Sequence, residues 1–234
     1  MIKEKNWQKY RHISFDLWLT LIKSNPDFKP KRNQLFKDYF AINKPIEEVA
    51  AVIRHYDVLT NTINEKVCRN FHTNEIYYLI LSALGADINV IDASMLNAFY
   101  TETEKLLLQY KPVLLHDNIL ALLQHFQAEG KTVNILSNTA FIKGSSLRKV
   151  LDYHEIGQYF AFQAYSDETG YSKPATEMYQ YAYDNIRNLG NILKNEVLHI
   201  GDNVISDYDG AIKFGFDAHL LTNQCYDELK LQPA

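Results

Sequence analysis

Five side chains in four short segments are of the types that chemistry on a phosphoryl group needs. They are Asp16 in HISFDLWLTLI, Ser137 in VNILSNTA, Lys173 in TGYSKPATEMY, and Asp202 with Asp207 in LHIGDNVISDYDGA. Together they offer a carboxylate, a hydroxyl, an ammonium group and a second carboxylate pair. Each closes an apolar run that reads as a buried strand, lies just beyond one, or stands where a helix begins. Open parallel sheets build their sites at such places.

Taken singly, each residue allows a chemical and a plain reading. Asp16 follows Ile13, Ser14 and Phe15, so its carboxylate projects at the C-terminal edge of a strand as a nucleophile or a metal ligand, or serves there as a turn or capping residue. Asp202 and Asp207 suit a hard cation that prefers oxygen ligands. Asp202 or Asn203 would equally well cap the helix expected from Ile205. Ser137 and Asn138 lie past a strand, where a hydroxyl and a backbone N–H can hold phosphoryl oxygens; an ordinary Ser-Asn turn has the same composition. Lys173 precedes Pro174 and is therefore biased to an extended backbone. Its ammonium can stabilise charge on a nucleophile and on a transferring group, although a lysine ahead of a helix is more often solvated.

These groups need a scaffold. One strand is expected over His12 to Leu17, after which strand character is lost until Thr132. Between them, Lys31 to Ile42, Ile46 to Val67, Asn74 to Leu84 and Asp92 to Gln109 repeat apolar residues at three and four spacing and read as helices. From Pro112 on, strands and helices alternate. Helices are expected over 117–128, 145–151, 174–187 and 205–214, and strands over 132–136, 159–164, 197–200 and 217–221. Such alternation predicts an α/β fold with a parallel sheet covered by helices on both faces. Residues 1–22 and 111–234 form the expected core, and 23–110 an all-helical insert.

In motif order and in the position of the insert, the chain resembles the haloacid dehalogenase superfamily over nearly its whole length. That resemblance implies a Rossmannoid core, a helical cap inserted after the first strand, Mg²⁺, and an aspartyl-enzyme intermediate. It further implies that Asp16, the backbone carbonyl of Trp18 and Asp202 ligate the metal, with Asn203 assisting. Asp207 would pair with Lys173, and Thr20 would support the site. The implied activity is a Mg²⁺-dependent phosphatase of a small phosphorylated molecule.

One position departs from the family pattern. Where the phosphatase branch carries an aspartic acid two residues after the nucleophile, this chain has Trp18, and indole cannot move that proton. The next position, usually glycine, is Leu19. Positioned acid-base catalysis supplies about 10² to 10⁴ in rate, so a slow or specialised enzyme is expected. An acid borrowed from the cap is one remedy, with His55, His72 and Glu75 as donors. A phosphonatase-like site would use a cap lysine such as Lys44, Lys66 or Lys105, and a dehalogenase-like site would do without the metal. A phosphate-binding protein without catalysis is a further alternative.

Composition narrows the remainder. A 234-residue chain with 47% hydrophobic and 22% charged residues has enough apolar content for a sizeable core. A formal net charge of -4 gives no general attraction to nucleic acid or an anionic membrane. No apolar run is long enough for a leader or a membrane span, so a cytoplasmic location is expected. Cys68 and Cys225 fit neither a disulfide framework nor metal-ligand spacing. Phe36, Tyr39, Phe40, Tyr56, Tyr77 and Tyr78 read as helix packing. Lys29, Lys31, Arg32 and Lys37 form a basic cluster near the presumed hinge, read as a solvated helix face that could also guide an anion. Residues 230–234 read as a frayed tail.

Overall fold

The structure is a computed structural model and describes residues 7–221; Cys225 and the expected tail at 230–234 lie outside the described residues. Among the described residues seven strands form two sheets: β1 (His12–Phe15), β2 (Ile22–Lys23), β3 (Val113–Leu114), β4 (Thr132–Ser137), β5 (Phe160–Tyr165), β6 (Val197–Gly201) and β7 (Asp217–Leu220). The main sheet has the order β5-β4-β1-β6-β7 and is parallel throughout. β2 and β3 make a two-residue antiparallel pair that sequence reading missed, because runs this short carry no periodicity.

β1 is buried along its full length, and its two faces differ in character. Ile13 and Phe15 face a cluster with Leu122, Leu123, Phe126 and Leu147, on helices α5 (Ile119–Ala128) and α6 (Gly144–Tyr153). The opposite face of the sheet is covered by Met178, Tyr179, Ala182, Ala211 and Phe214, from α8 (Thr176–Leu189) and α9 (Gly210–Phe214). The architecture is therefore α/β with helices on both sides of a parallel sheet, as the alternation of the sequence predicts. A short helix, α7 (Ser166–Thr169), follows β5.

Four helices occupy the chain between β2 and β3: α1 (Phe28–Tyr39), α2 (Ile46–Val67), α3 (Thr73–Ala83) and α4 (Ala93–Gln109). Helix α1 starts three residues earlier than expected, because Pro30 falls in the first turn, where a missing N–H has no partner to lose. Aspartate 92 caps α4 by accepting from the Met95 N–H at 2.8 Å. These helices share their own core of Phe36, Val49, Ile53, Ile76, Tyr77 and Phe99. Its rings meet tilted or edge to face, with Phe36 and Phe99 5.3 Å apart at 90° and Phe36 and Tyr77 6.1 Å apart at 52°. The aromatic residues of this segment are thus packing groups. Phe141, from the loop after β4, joins the same cluster and ties the four helices to the sheet.

The last two helices differ from expectation. α8 begins at Thr176 rather than Pro174 because Asn138 holds both backbone polar groups of Lys173, its Oδ1 accepting the N–H at 2.7 Å and its Nδ2 donating to the C=O at 2.9 Å. The helix expected from Ile205 opens as a π-helical turn, Val204–Asp209, before α9. In that turn the Tyr208 N–H reaches the Asn203 carbonyl at 3.1 Å.

Candidate active site

β1 lies between β4 and β6, so the strands flanking it leave in different chain directions at their C-terminal ends and open a crevice there. Asp16 stands at that point. Its N–H extends the β1–β6 ladder by one bond to the Ile200 carbonyl at 2.8 Å, which fixes where its carboxylate emerges. Asp202 follows the last residue of β6, and the π-helical turn carries Asp207 back toward the same crevice. Only glycine fits at 201, since a Cβ there would collide with the Asp207 side chain.

Lys173 joins the carboxylates. Its Nζ donates to Asp16 Oδ1 at 2.9 Å and to Asp207 Oδ1 at 2.6 Å, with the residue 1% exposed. Burial alone would favour loss of its proton, but the two carboxylates outweigh it and hold the ammonium above its ordinary pKa. Burial likewise acts to raise Asp207, and the charge of Lys173 with the hydrogen bond from His199 overcomes it, keeping Asp207 ionised. Asp16 ends on the other side of the balance. Burial pushes it up to about 7, with Lys173 opposing and the charge of Asp207 adding to the rise. Asp202 is raised by burial and by Asp207.

The remaining partners of the Asp207 carboxylate are a backbone N–H and a strand residue. Its Oδ2 accepts from the Asn203 N–H at 3.0 Å, and its Oδ1 is 3.2 Å from His199 Nε2. A carboxylate can only accept, so Nε2 carries the proton and Nδ1, 3.0 Å from Ser14 Oγ, accepts from that hydroxyl. Burial holds His199 below its usual pKa and hence neutral. Sequence reading did not single out His199. The available signal was a polar side chain in the middle of the apolar run VLHIG.

The other expected site residues divide into two groups. Thr20 donates to Asp16 Oδ2 at 3.3 Å, in a supporting position. Trp18, half-buried, forms part of the wall of a cavity of about 600 Å³ that also includes Asp16, Asn138, Lys173, Asp202 and Asp207. Ser137 is fully buried, donates to the Asn138 carbonyl at 3.2 Å, and is not part of that wall. Asn138 is in the wall, but its side chain is committed to the Lys173 backbone. Asn203 also takes a structural part: its Oδ1 caps the π-helical turn by accepting from the Ile205 and Ser206 N–H groups at 2.8 and 2.9 Å. Leu19, at the position where glycine was expected, adopts a left-handed φ of 57° while 54% exposed.

The expected donors of the helical segment do not reach the site. His55, His72, Glu75, Lys44, Lys66 and Lys105 are absent from the cavity wall. Glu75 instead accepts from the His72 N–H at the start of α3, and Lys44 and Lys105 pair with Glu48 and Glu102. The wall carboxylates of that segment are Asp57 and Glu65, the latter accepting from Ser206 Oγ at 2.6 Å.

Asp16, Asp202 and Asp207 can each turn one carboxylate oxygen into a common volume in which these atoms lie within 4.8 Å of one another. Three carboxylates with no nitrogen or sulfur ligand are a donor set for a hard cation such as Mg²⁺, so the residues fit the metal implied by the resemblance.

A family profile described as haloacid dehalogenase-like hydrolase matches residues 10–215. The chain belongs to that family. It is 24% identical over 225 residues, 93% of each chain, to an uncharacterized hydrolase of Schizosaccharomyces pombe. Over 63 residues, 27% of this chain and 25% of the other, it is 36% identical to the 5-amino-6-(5-phospho-D-ribitylamino)uracil phosphatase YigB of Escherichia coli. Its fold matches that of magnesium-bound YfnB, a HAD-hydrolase of Bacillus subtilis, with a TM-score of 0.63 at 20% identity, covering 91% of this chain and 86% of that one. Among the described residues no helix is long and apolar enough to cross a membrane.

Proposed function

We propose that this hydrolase is a Mg²⁺-dependent phosphatase of a small phosphorylated molecule, working in the cytoplasm through a phosphoryl group carried on Asp16. The observation that carries the reading is the placement of Lys173 between Asp16 and Asp207, with Asp202 completing an all-oxygen cluster on the same cavity. The partial match to a phosphatase and the fold match to a magnesium-bound relative agree with it.

In this reading Asp16 attacks phosphorus as the ester oxygen departs with its electron pair, and water then cleaves the acyl phosphate to release phosphate and restore the carboxylate. Lys173 holds Asp16 in position and faces the charge that develops on the transferring group. Asp207, fixed by His199 and the Asn203 N–H, orients Lys173. Asp16, Asp202 and the Trp18 carbonyl would hold Mg²⁺, which when bound neutralises phosphate charge and lowers the barrier to anionic attack. We assign residues 23–110 to a cap over the cavity. Asn203 and Asn138 position the metal-bearing and lysine-bearing loops, and Ser137 donates to the Asn138 carbonyl.

Trp18 stands where a proton donor would be required by a poor leaving group. Turnover should therefore favour esters whose alcohols are acidic, and the same residue supports a second reading in which the chain binds phosphate esters without hydrolysing them. Release of phosphate from an aryl phosphate with and without Mg²⁺, beside Asp16→Asn, separates the two. Metal-dependent release lost in the variant supports the phosphatase; release no greater than in Asp16→Asn leaves only binding.

A further inference from the structure

Arg32 does not lie on the solvated face expected of its basic cluster. It is 7% exposed, lies in the first half of α1, and forms part of the wall of the cavity that holds Asp16. Among the described residues its guanidinium donates only to the amide oxygen of the adjacent Asn33, from Nε at 3.3 Å and Nη2 at 3.0 Å. No carboxylate lies within salt-bridge distance of it among those residues. The two acids on the same wall of the helical segment are engaged elsewhere, Asp57 with Arg54 at 3.1 Å and Glu65 with Ser206.

A buried cation without a paired anion is costly, because an amide returns little of the hydration it has lost. Burial lowers the Arg32 pKa, and the charge of Asp57 opposes that shift only from a distance. Packing holds the group in place: the guanidinium carbon lies 4.9 Å from the centre of the Phe141 ring and 5.9 Å from that of Phe28. The result is an aimed, pre-ordered cation facing the cavity, with Lys29 nearby on the same wall. Trp18, Phe28, Phe141 and Ile142 supply apolar surface to that same cavity. Its volume of about 600 Å³ falls in the range of roughly 300–1,000 Å³ typical of small-molecule sites.

We propose that Arg32 is a specificity-determining residue that binds a second anionic group of the substrate, so that the preferred substrate is a phosphate ester whose leaving group carries a carboxylate or another phosphate. This inference rests on the phosphatase reading for where the first phosphate sits. It also supplies a use for remote binding energy: an anion clamped by Arg32 holds the ester against Asp16 and offsets in part the missing proton donor.

The test compares phenyl phosphate with its meta-carboxylate and its meta-phosphate derivatives, in Mg²⁺, for wild type, Arg32→Gln and Arg32→Lys. Calorimetric binding of the same three compounds to the Asp16→Asn protein, with and without Arg32→Gln, runs in parallel. Wild type should favour at least one of the two derivatives over phenyl phosphate by tenfold or more in kcat/KM, and the carboxylate and phosphate arms identify which anion. The ratio should fall toward one in Arg32→Gln and at least threefold in Arg32→Lys, since an ammonium cannot reproduce the planar fork. Thermal melting should show both variants as stable as wild type or more so, whereas a purely structural Arg32 would lower the midpoint and leave the ratio intact.

No preference in wild type, or an unchanged ratio in either folded variant, overturns the proposal while leaving the phosphatase reading standing. Binding preference that depends on Arg32 without hydrolysis of any ester overturns the phosphatase reading and keeps the anion site.

Discussion

Replacing Lys173 by methionine should be among the most damaging single changes in the core, and more so at alkaline than at mildly acidic pH. The ammonium is 1% exposed and lies 2.9 Å from Asp16 and 2.6 Å from Asp207. Methionine matches the stem but leaves two buried carboxylates facing each other. Removing one member of a buried ion pair costs about 3–5 kcal/mol, and in a chain of this size each kcal/mol shifts Tm by roughly 2–4 °C. A fall on the order of 10 °C follows.

The pH dependence comes from Asp16. Its folded pKa, already about 7 with Lys173 present, rises further once the ammonium is gone. An acid with a raised folded pKa destabilises the fold increasingly as pH climbs from its unfolded value through the folded one, because the unfolded chain has by then released a proton the native state still holds. The deficit of Lys173→Met relative to wild type should therefore be larger at pH 8 than at pH 6. Denaturant unfolding of both proteins in EDTA at the two pH values measures it. A deficit under 1 kcal/mol, or one that is equal at both pH values, would refute the electrostatic account of Lys173.

Three other outcomes follow from the same structure. Leu19→Gly should raise stability by about 0.5–1 kcal/mol in denaturant unfolding, because a left-handed leucine costs about 1–2 kcal/mol and glycine returns only part of that in chain entropy. Burial pushes His12 down to about 4, opposed by its bond to Asn134, so the stability it lends is complete above pH 6.5 and is lost as pH falls toward 4. His12→Gln should therefore flatten the loss of unfolding free energy over that interval by about 2–3 kcal/mol, a slope measured on both proteins by denaturant titration. Finally, Trp18→Asp should raise turnover of alkyl phosphates at least tenfold relative to aryl phosphates; a folded variant with unchanged ratios would contradict the role assigned to that position.

Much of the candidate site was legible because parallel α/β folds place polar groups at strand ends, and the runs before Asp16, Ser137 and Asp202 are apolar enough to identify as strands. The alignment of Lys173 with two acids was expected only from motif order. What escaped reading depends on tertiary packing. Whether Arg32 is solvated or buried is decided by Phe28 and Phe141, more than a hundred residues apart in the chain. The support of Asp207 by His199 depends on the register between β1 and β6, which places Ser14 beside His199. The displaced starts of α8 and of the π-helical turn likewise reflect the side chains of Asn138 and Asn203, which read as turn or site residues until their partners are known.

In the proposed reaction Asp16 receives a phosphoryl group in a cation-dependent pocket. Beryllium trifluoride, which mimics that group on a carboxylate, tests it directly by ¹⁹F NMR. Wild-type protein should show bound fluorine resonances that require Mg²⁺ and vanish in Asp16→Asn. No bound signal at saturating Mg²⁺, or the same signal in Asp16→Asn, would contradict it.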